Sequence, residues 1–219
     1  MRDDHPRRRQ KLKDAHRLAR KKASRRGMLA TLIICEGEET EPNYIRGLCD
    51  HLGINRAAVH IESGEGVTDP EGLVRKARKK FTSDGNFDRV FVVCDAGAGG
   101  LAEALKLAQN PVRNNAGETT NVVVVSSHPS FEFWLLLHFE YRASPCTAVE
   151  ALRDLRRHLT NYEKSDPQVF QMVESGLEQA CDRAQRLKHD LNRTGAASPD
   201  TDMAEFIRLL REMKQSADK

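Results

Sequence analysis

The sequence has few aromatic residues and no long apolar run. Phe, Trp and Tyr make up 5% of its 219 residues, too few for a dense stacking platform for single-stranded nucleic acid. Its longest apolar stretch, residues 131–139, contains Glu132 and His138 and is too short to span a bilayer. The first 26 residues are charged and lack the apolar segment of a signal peptide. We therefore expect a soluble cytoplasmic protein that does not bind membranes.

The cysteines form no CxxC pair, and their number, 5, is odd. Neither a zinc site nor a disulfide framework is expected from this pattern, which suits a reducing compartment. Cys35 and Cys94 each end a predicted strand, one position before an acid. We interpret both as small apolar residues of a buried strand rather than as reactive thiols.

Positive charge is concentrated at the amino terminus. Residues 1–26 contain 12 Lys/Arg and 3 acids, whereas the remainder contains 23 Lys/Arg and 29 acids. Such a tail can neutralise several phosphates and release their counterions, although a solvated, disordered arm has the same composition. We favour nucleic-acid binding, and the candidate contacts in the tail are Arg7, Arg8, Arg9, Arg25 and Arg26.

Apolar runs alternate with helical periodicity between residues 28 and 140. Four runs predict strands: Met28–Cys35, Ala57–Glu62, Arg89–Cys94 and Asn121–Val125. Four segments predict helices: Glu41–Leu52, Asp69–Phe81, Leu101–Gln109 and Pro129–Phe139. Strands that alternate with helices form parallel crossovers, so this core is predicted to be α/β, a mainly parallel sheet flanked by helices.

Beyond Tyr141 the pattern predicts helices alone. They cover Thr147–Leu159, Gln168–Leu191 and Thr201–Met213. With no low-complexity linker, we expect residues 27–219 to form one α/β domain with a helical C-terminal extension, preceded by the flexible basic tail of residues 1–26.

Acidic residues follow three of the predicted strands. Glu36 and Glu41 come after the first, Asp95 after the third, and Glu132 soon after the fourth. Ligands of parallel α/β sheets gather at this edge, and carboxylates crowded together repel one another unless a cation is bound. Oxygen ligands suit Mg²⁺ or Mn²⁺. The pattern therefore predicts a divalent-metal site for phosphodiester chemistry.

Several segments resemble the RloB-like family. They are residues 32–44 (LIICEGEETEPNY), residues 131–139 (FEFWLLLHF) after His128-Pro129, Tyr162 with Lys164, and residues 198–201 (SPDT). This family is similar to Toprim domains, the acidic α/β fold of topoisomerases, primases and OLD-type nucleases. The resemblance implies a nuclease-like role in prokaryotic anti-phage defence, often beside an ATPase encoded by a neighbouring gene.

The resemblance also implies roles for individual acids. Glu36 matches the Toprim glutamate, a general acid/base or metal ligand. Glu41 matches the second acid of the OLD-type opening, and Asp95 matches the first aspartate of the Asp-x-Asp motif. Gly97 stands where the second aspartate is expected. This departure leaves either a single-metal site, held with the help of Glu41 and Glu132, or a weakened enzyme.

Other residues near these motifs admit more than one interpretation. Glu132 lies in an apolar segment and needs a metal or a basic partner. Trp134 and His138 fit the core better than a binding site. His128 and Lys164 are candidate contacts to nucleic acid, although a solvated Lys164 would need no ligand.

Two hypotheses of different classes follow. In the first, the protein is a nuclease in which Glu36 and Asp95 are catalytic and Glu36, Glu41, Asp95 and Glu132 hold Mg²⁺ or Mn²⁺. In the second, it is a non-catalytic module that binds nucleic acid or a partner ATPase. The intact acids from Glu36 to Glu41 favour the enzyme, and Gly97 favours the module.

Overall fold

A computed structural model describes residues 29–84, 86–97, 99–194 and 199–217. A five-stranded sheet has the order β2-β1-β3-β6-β7. Neighbouring strands are parallel except β7, which is antiparallel to β6. The strands are β1 (Thr31–Cys35), β2 (Val59–Ser63), β3 (Arg89–Asp95), β4 (Val112–Arg113), β5 (Thr119–Thr120), β6 (Val122–His128) and β7 (Asp200–Thr201), and β4 and β5 form a separate antiparallel pair.

Helices flank both faces of the sheet. They are α1 (Thr40–His51), α2 (Pro70–Ser83), α3 (Leu101–Gln109), α4 (Phe131–Leu136), α5 (Ala148–His158), α6 (Val169–Val173), α7 (Leu177–Thr194) and α8 (Met203–Ala217). The predicted α/β fold with a mainly parallel sheet is therefore confirmed. None of the helices in the described residues combines the length and apolar character that a membrane span needs.

Strand β1 shows why the central strands are apolar throughout. Ile33 and Cys35 face one hydrophobic cluster, which includes residues of α1, α4, α7 and α8, whereas Leu32 and Ile34 face a second cluster with α2 and α3. A strand covered on both faces cannot alternate polar and apolar residues. Cys35 and Cys94 are buried within their strands, as expected, and burial raises the pKa of the Cys94 thiol to about 12.

Several predicted boundaries were wrong for identifiable reasons. The helix expected over Pro129–Phe139 covers Phe131–Leu136, and its apolar character reflects burial on all sides. The helix expected over Gln168–Leu191 is interrupted by a 3₁₀ turn at Glu174–Gly176. Strands β4, β5 and β7 were missed because two residues are too few to show a period.

Candidate acidic metal site

Backbone pairing at the carboxyl edge of β1 and β3 positions two of the predicted acids. The amide of Glu36 donates to the carbonyl of Val93 at 2.9 Å, which continues the β1–β3 pairing past Cys35. The Glu36 carboxylate then accepts the amide of Asp95 through Oε2 at 2.8 Å. The last residue of β3 and the first residue after β1 are therefore joined directly.

Two further hydrogen bonds connect these strand ends to helix starts. In the first turn of α1, Glu41 reaches back and accepts the amide of Gly37 through Oε1 at 3.2 Å. Asp95 accepts the amide of Phe131, the first residue of α4, through Oδ1 at 2.8 Å. A Cβ at Gly37 would displace the Glu41 carboxylate from this position.

These side chains share one cavity of about 290 Å³. Among the described residues, its lining contains six carboxylates and one ammonium group: Glu36, Glu38, Glu39, Glu41, Asp95 and Glu132, with Lys164. The structure thus brings together the four acids that the sequence singled out as metal ligands. His128 does not line this cavity; it lies at the end of β6, opposite Asp200 of β7.

The electrostatics of the cavity follow from burial and from the crowding of like charges. Burial raises the pKa of Asp95 from its ordinary value of 3.8 to about 8, and the charges of Glu36, Glu41 and Glu132 add to this rise. Burial likewise raises the pKa of Glu36 and of Glu41. Among the described residues, the Lys164 ammonium therefore compensates only part of the negative charge of the site.

Glu132 is the exception among these acids. Its Oε1 lies 2.6 Å from the ammonium of Lys164, and its Oε2 accepts the hydroxyl of Ser130 at 2.7 Å. Burial acts to raise the pKa of Glu132, but these two hydrogen bonds outweigh it and the pKa is lowered. Of the two partners expected for Glu132, a metal or a basic side chain, the structure shows the basic one.

Lys164 is also held through its backbone. Its carbonyl accepts the hydroxyl of Thr40, the first residue of α1, at 2.8 Å. The Lys164 side chain is still 63% exposed, so its ammonium borders solvent as well as the cavity. Sequence reasoning missed Thr40 and Ser130, because a hydroxyl beside a helix start indicates a cap and not a contact far along the chain.

The donor set fits a hard divalent cation. Within the described residues, one carboxylate oxygen of each of Glu36, Glu41 and Asp95 accepts no hydrogen bond, and oxygen donors are those that Mg²⁺ and Mn²⁺ prefer. No three acidic, His or Cys side chains in the described part of the chain already stand in coordinating positions. Binding of a cation would therefore involve rotation of these carboxylates.

Gly97 lies where the backbone leaves no room for a side chain. A Cβ at this position would lie 2.8 Å from the carbonyl oxygen of Pro129. An aspartate at position 97 would therefore require the Pro129 segment after β6 to move.

The residues interpreted as core are confirmed. Trp134 is buried, and buried His138 contacts the Tyr44 hydroxyl at 3.2 Å and the Trp134 carbonyl at 3.1 Å. Burial lowers the pKa of His138 to about 4, so it is neutral at physiological pH. The predicted tail contacts Arg7, Arg8, Arg9, Arg25 and Arg26 lie outside the described residues.

The fold and the site define an α/β protein with an acidic cavity at the carboxyl edge of a mainly parallel sheet. Residues 31–210 match the RloB-like protein family, and the chain belongs to that family. No curated protein and no solved structure shows significant similarity to it.

Proposed function

We propose that this protein is a Mg²⁺- or Mn²⁺-dependent nuclease that acts on DNA or RNA phosphodiesters in prokaryotic anti-phage defence, through a Toprim-like site. The observation that carries the proposal is the convergence of Glu36, Glu41 and Asp95 in one cavity, each with an oxygen that accepts no hydrogen bond within the described residues. Crowding of this kind costs free energy, which a bound cation offsets.

In the proposed mechanism, Asp95 and Glu41 hold the cation, together with Glu36 when its proton is lost. When bound, the cation polarises a phosphoryl oxygen and lowers the pKa of a nearby water. Because burial raises the pKa of Glu36, this residue can exchange a proton closer to neutral pH than an exposed glutamate. The Lys164 ammonium borders the cavity and can contact a non-bridging phosphate oxygen.

Replacement of Glu36 by Gln tests the acid/base role. We expect Glu36→Gln to reduce cleavage of labelled DNA and RNA oligonucleotides in Mn²⁺ by roughly 10²-fold or more, since general acid–base catalysis contributes about that much. Glu103→Gln, an exposed acid in the first turn of α3, is the matched control. Cleavage by Glu36→Gln at the wild-type rate, with an unchanged melting temperature, would contradict this role.

A second candidate is a non-catalytic module that binds nucleic acid or an ATPase. The packing of Gly97 against Pro129 favours it, because a second metal ligand at position 97 is sterically disfavoured. The two functions differ in metal binding: the module needs no divalent cation at Asp95, whereas the nuclease does.

A further inference from the structure

Helix α5 has a basic outer face and packs against α4, the helix that carries Glu132 of the acidic cavity. Its inner face buries Ala151 and Leu155, and Arg153, Arg156 and Arg157 are exposed on the other side. Basic residues near a helix C-terminus stabilise the helix dipole, which would account for one or two such charges. Three arginines within five positions, all exposed, exceed that requirement.

Part of this positive charge is not neutralised. Asp154 is 6% exposed and forms ion pairs with Arg142, Arg153 and Arg157. Asp154 compensates one of these three guanidinium groups, of which Arg142, at 17% exposure, is the least exposed. Glu150 in the first turn of α5 also attracts Arg142 and Arg153, so the two acids compensate half of the four arginine charges. Arg156 forms no ion pair among the described residues. The exposed face of α5 therefore has a surplus of positive charge around a fixed anion.

The chain leads directly from this face into the cavity. After α5 it passes through buried Tyr162 and reaches Lys164, which lines the cavity. Burial raises the pKa of Tyr162, and the charge of Arg156 acts in the opposite direction. Helix α5 also packs against α4, whose Glu132 pairs with Lys164, so the basic face and the Lys164 ammonium lie on neighbouring elements.

We propose that the exposed face of α5, formed by Arg153, Arg156 and Arg157, binds the phosphate backbone of a nucleic-acid strand whose adjacent phosphodiester lies in the acidic cavity. The proposal rests on the proposed nuclease function and names its substrate-binding surface. Guanidinium groups suit phosphate because their planar fork donates two parallel hydrogen bonds. Arg142 stays paired with the buried Asp154 carboxylate, so the more exposed Arg153 and Arg157 can exchange Asp154 for phosphate without leaving it unpaired.

Helix α2 is the natural comparison because it also has a basic surface. There, however, Arg75 pairs with Glu71, Lys76 with Glu65, and Lys80 with Glu62. Arg78 donates to the carbonyl of Leu107 in the last turn of α3 and to the carbonyls of Asn110 and Pro111 after it. The cations of α2 are therefore largely engaged within the protein, unlike those of α5.

Arginine footprinting tests the surface at the level of single residues. The full chain is treated with phenylglyoxal, with and without a single-stranded oligonucleotide in Ca²⁺, and modification is quantified by mass spectrometry. We expect the oligonucleotide to protect Arg153, Arg156 and Arg157 several-fold and to leave Arg75 of α2 unchanged. Because each arginine is measured separately, binding by the basic N-terminal tail does not obscure the result.

A pair of double variants tests the energetics. Arg156→Gln/Arg157→Gln removes two charges from α5, and Arg75→Gln/Lys79→Gln removes two from α2. For a single strand each lost phosphate contact lowers the slope of log affinity against log salt by about 0.7. For the α5 variant we expect the slope to decrease by roughly 1.4 and the affinity at 0.1 M salt to fall roughly tenfold or more. For the α2 variant we expect neither quantity to change.

The outcomes separate this inference from the nuclease proposal. If the wild type binds the oligonucleotide but the α5 arginines react as in the free protein, or if the wild type does not bind it at all, the α5 surface is refuted. Protection of the α5 arginines in a protein that neither binds Mn²⁺ nor cleaves would support the surface and refute the nuclease.

Discussion

Asp202 lies at the same edge of the sheet as Glu36 and Asp95, but its surroundings differ from theirs. At the end of β6, Asp202 accepts the amide of Ser126 at 3.0 Å and its hydroxyl at 2.7 Å, and it forms an ion pair with Lys188. At the ends of β1 and β3, Glu36 and Asp95 each accept one backbone amide and have no ion pair within the described residues.

The difference separates a structural acid from candidate functional acids. Asp202 forms its hydrogen bonds with Ser126 and its ion pair with Lys188, and these interactions hold the segment before α8 against β6. Asp95 and Glu36 retain capacity for a partner that the described part of the chain does not supply. Buried charge without a partner is costly, and groups with strongly shifted pKa values cluster at functional sites for this reason.

Loss of Asp202 should have the largest effect on stability. Asp202→Ala removes the acceptor of two Ser126 hydrogen bonds and the partner of Lys188. We expect the free energy of unfolding to fall by about 2–3 kcal/mol, since each such interaction contributes about 1 kcal/mol. Urea unfolding measures this, with exposed Glu205→Ala on α8 as the control. Equal midpoints for the two variants would show that Asp202 is dispensable.

Ionisation of Asp95 should lower the stability of the protein as pH rises. Its folded pKa, about 8, exceeds its ordinary value of 3.8, so protonated Asp95 contributes stability that is complete below about pH 4 and is lost as pH rises toward 8. Without divalent ions, we expect wild-type stability to fall by roughly 1–2 kcal/mol between pH 6 and pH 8.

The Asp95→Asn variant identifies the source of that pH dependence. Asparagine cannot ionise, so thermal unfolding of this variant in EDTA should show a smaller fall between the two pH values and a higher melting temperature at pH 8. A variant with the same pH profile as the wild type would mean that Asp95 is not the group that titrates.

The smallest effect on stability is expected for loss of the ion pair between Glu132 and Lys164 in the cavity. Lys164→Met removes its ammonium partner at 2.6 Å. Because Lys164 is 63% exposed, solvent screens the pair and the loss should be about 1 kcal/mol at neutral pH. Lys164 helps to lower the pKa of Glu132, so the wild-type advantage should disappear as pH falls through the carboxylate range. Lys79→Met on α2 is the matched control.

The central sheet and its acids could be predicted because their signals are local. The apolar runs that became β1 and β3 end directly before Glu36 and at Asp95, and the edge at which parallel strands end follows from topology. The sequence therefore predicted both the α/β class and the positions of the four acids.

The contacts that tune the site could not be predicted from local pattern. Lys164 lies 32 positions after Glu132 along the chain and reaches it only because its carbonyl accepts Thr40 from the start of α1. The two-residue strand β7 and the close packing of Gly97 on Pro129 likewise depend on tertiary structure. None of these features has a periodic signature.

Calorimetric titration of Mn²⁺ into the wild-type protein and Asp95→Asn at pH 8 tests the central claim most directly, because it requires no knowledge of the substrate. We predict saturable binding by the wild type, weaker binding at pH 6 as Asp95 becomes protonated, and no saturable binding by the variant. Equal binding by both proteins, or no binding by the wild type, would contradict the assignment of this cavity as a divalent-metal site.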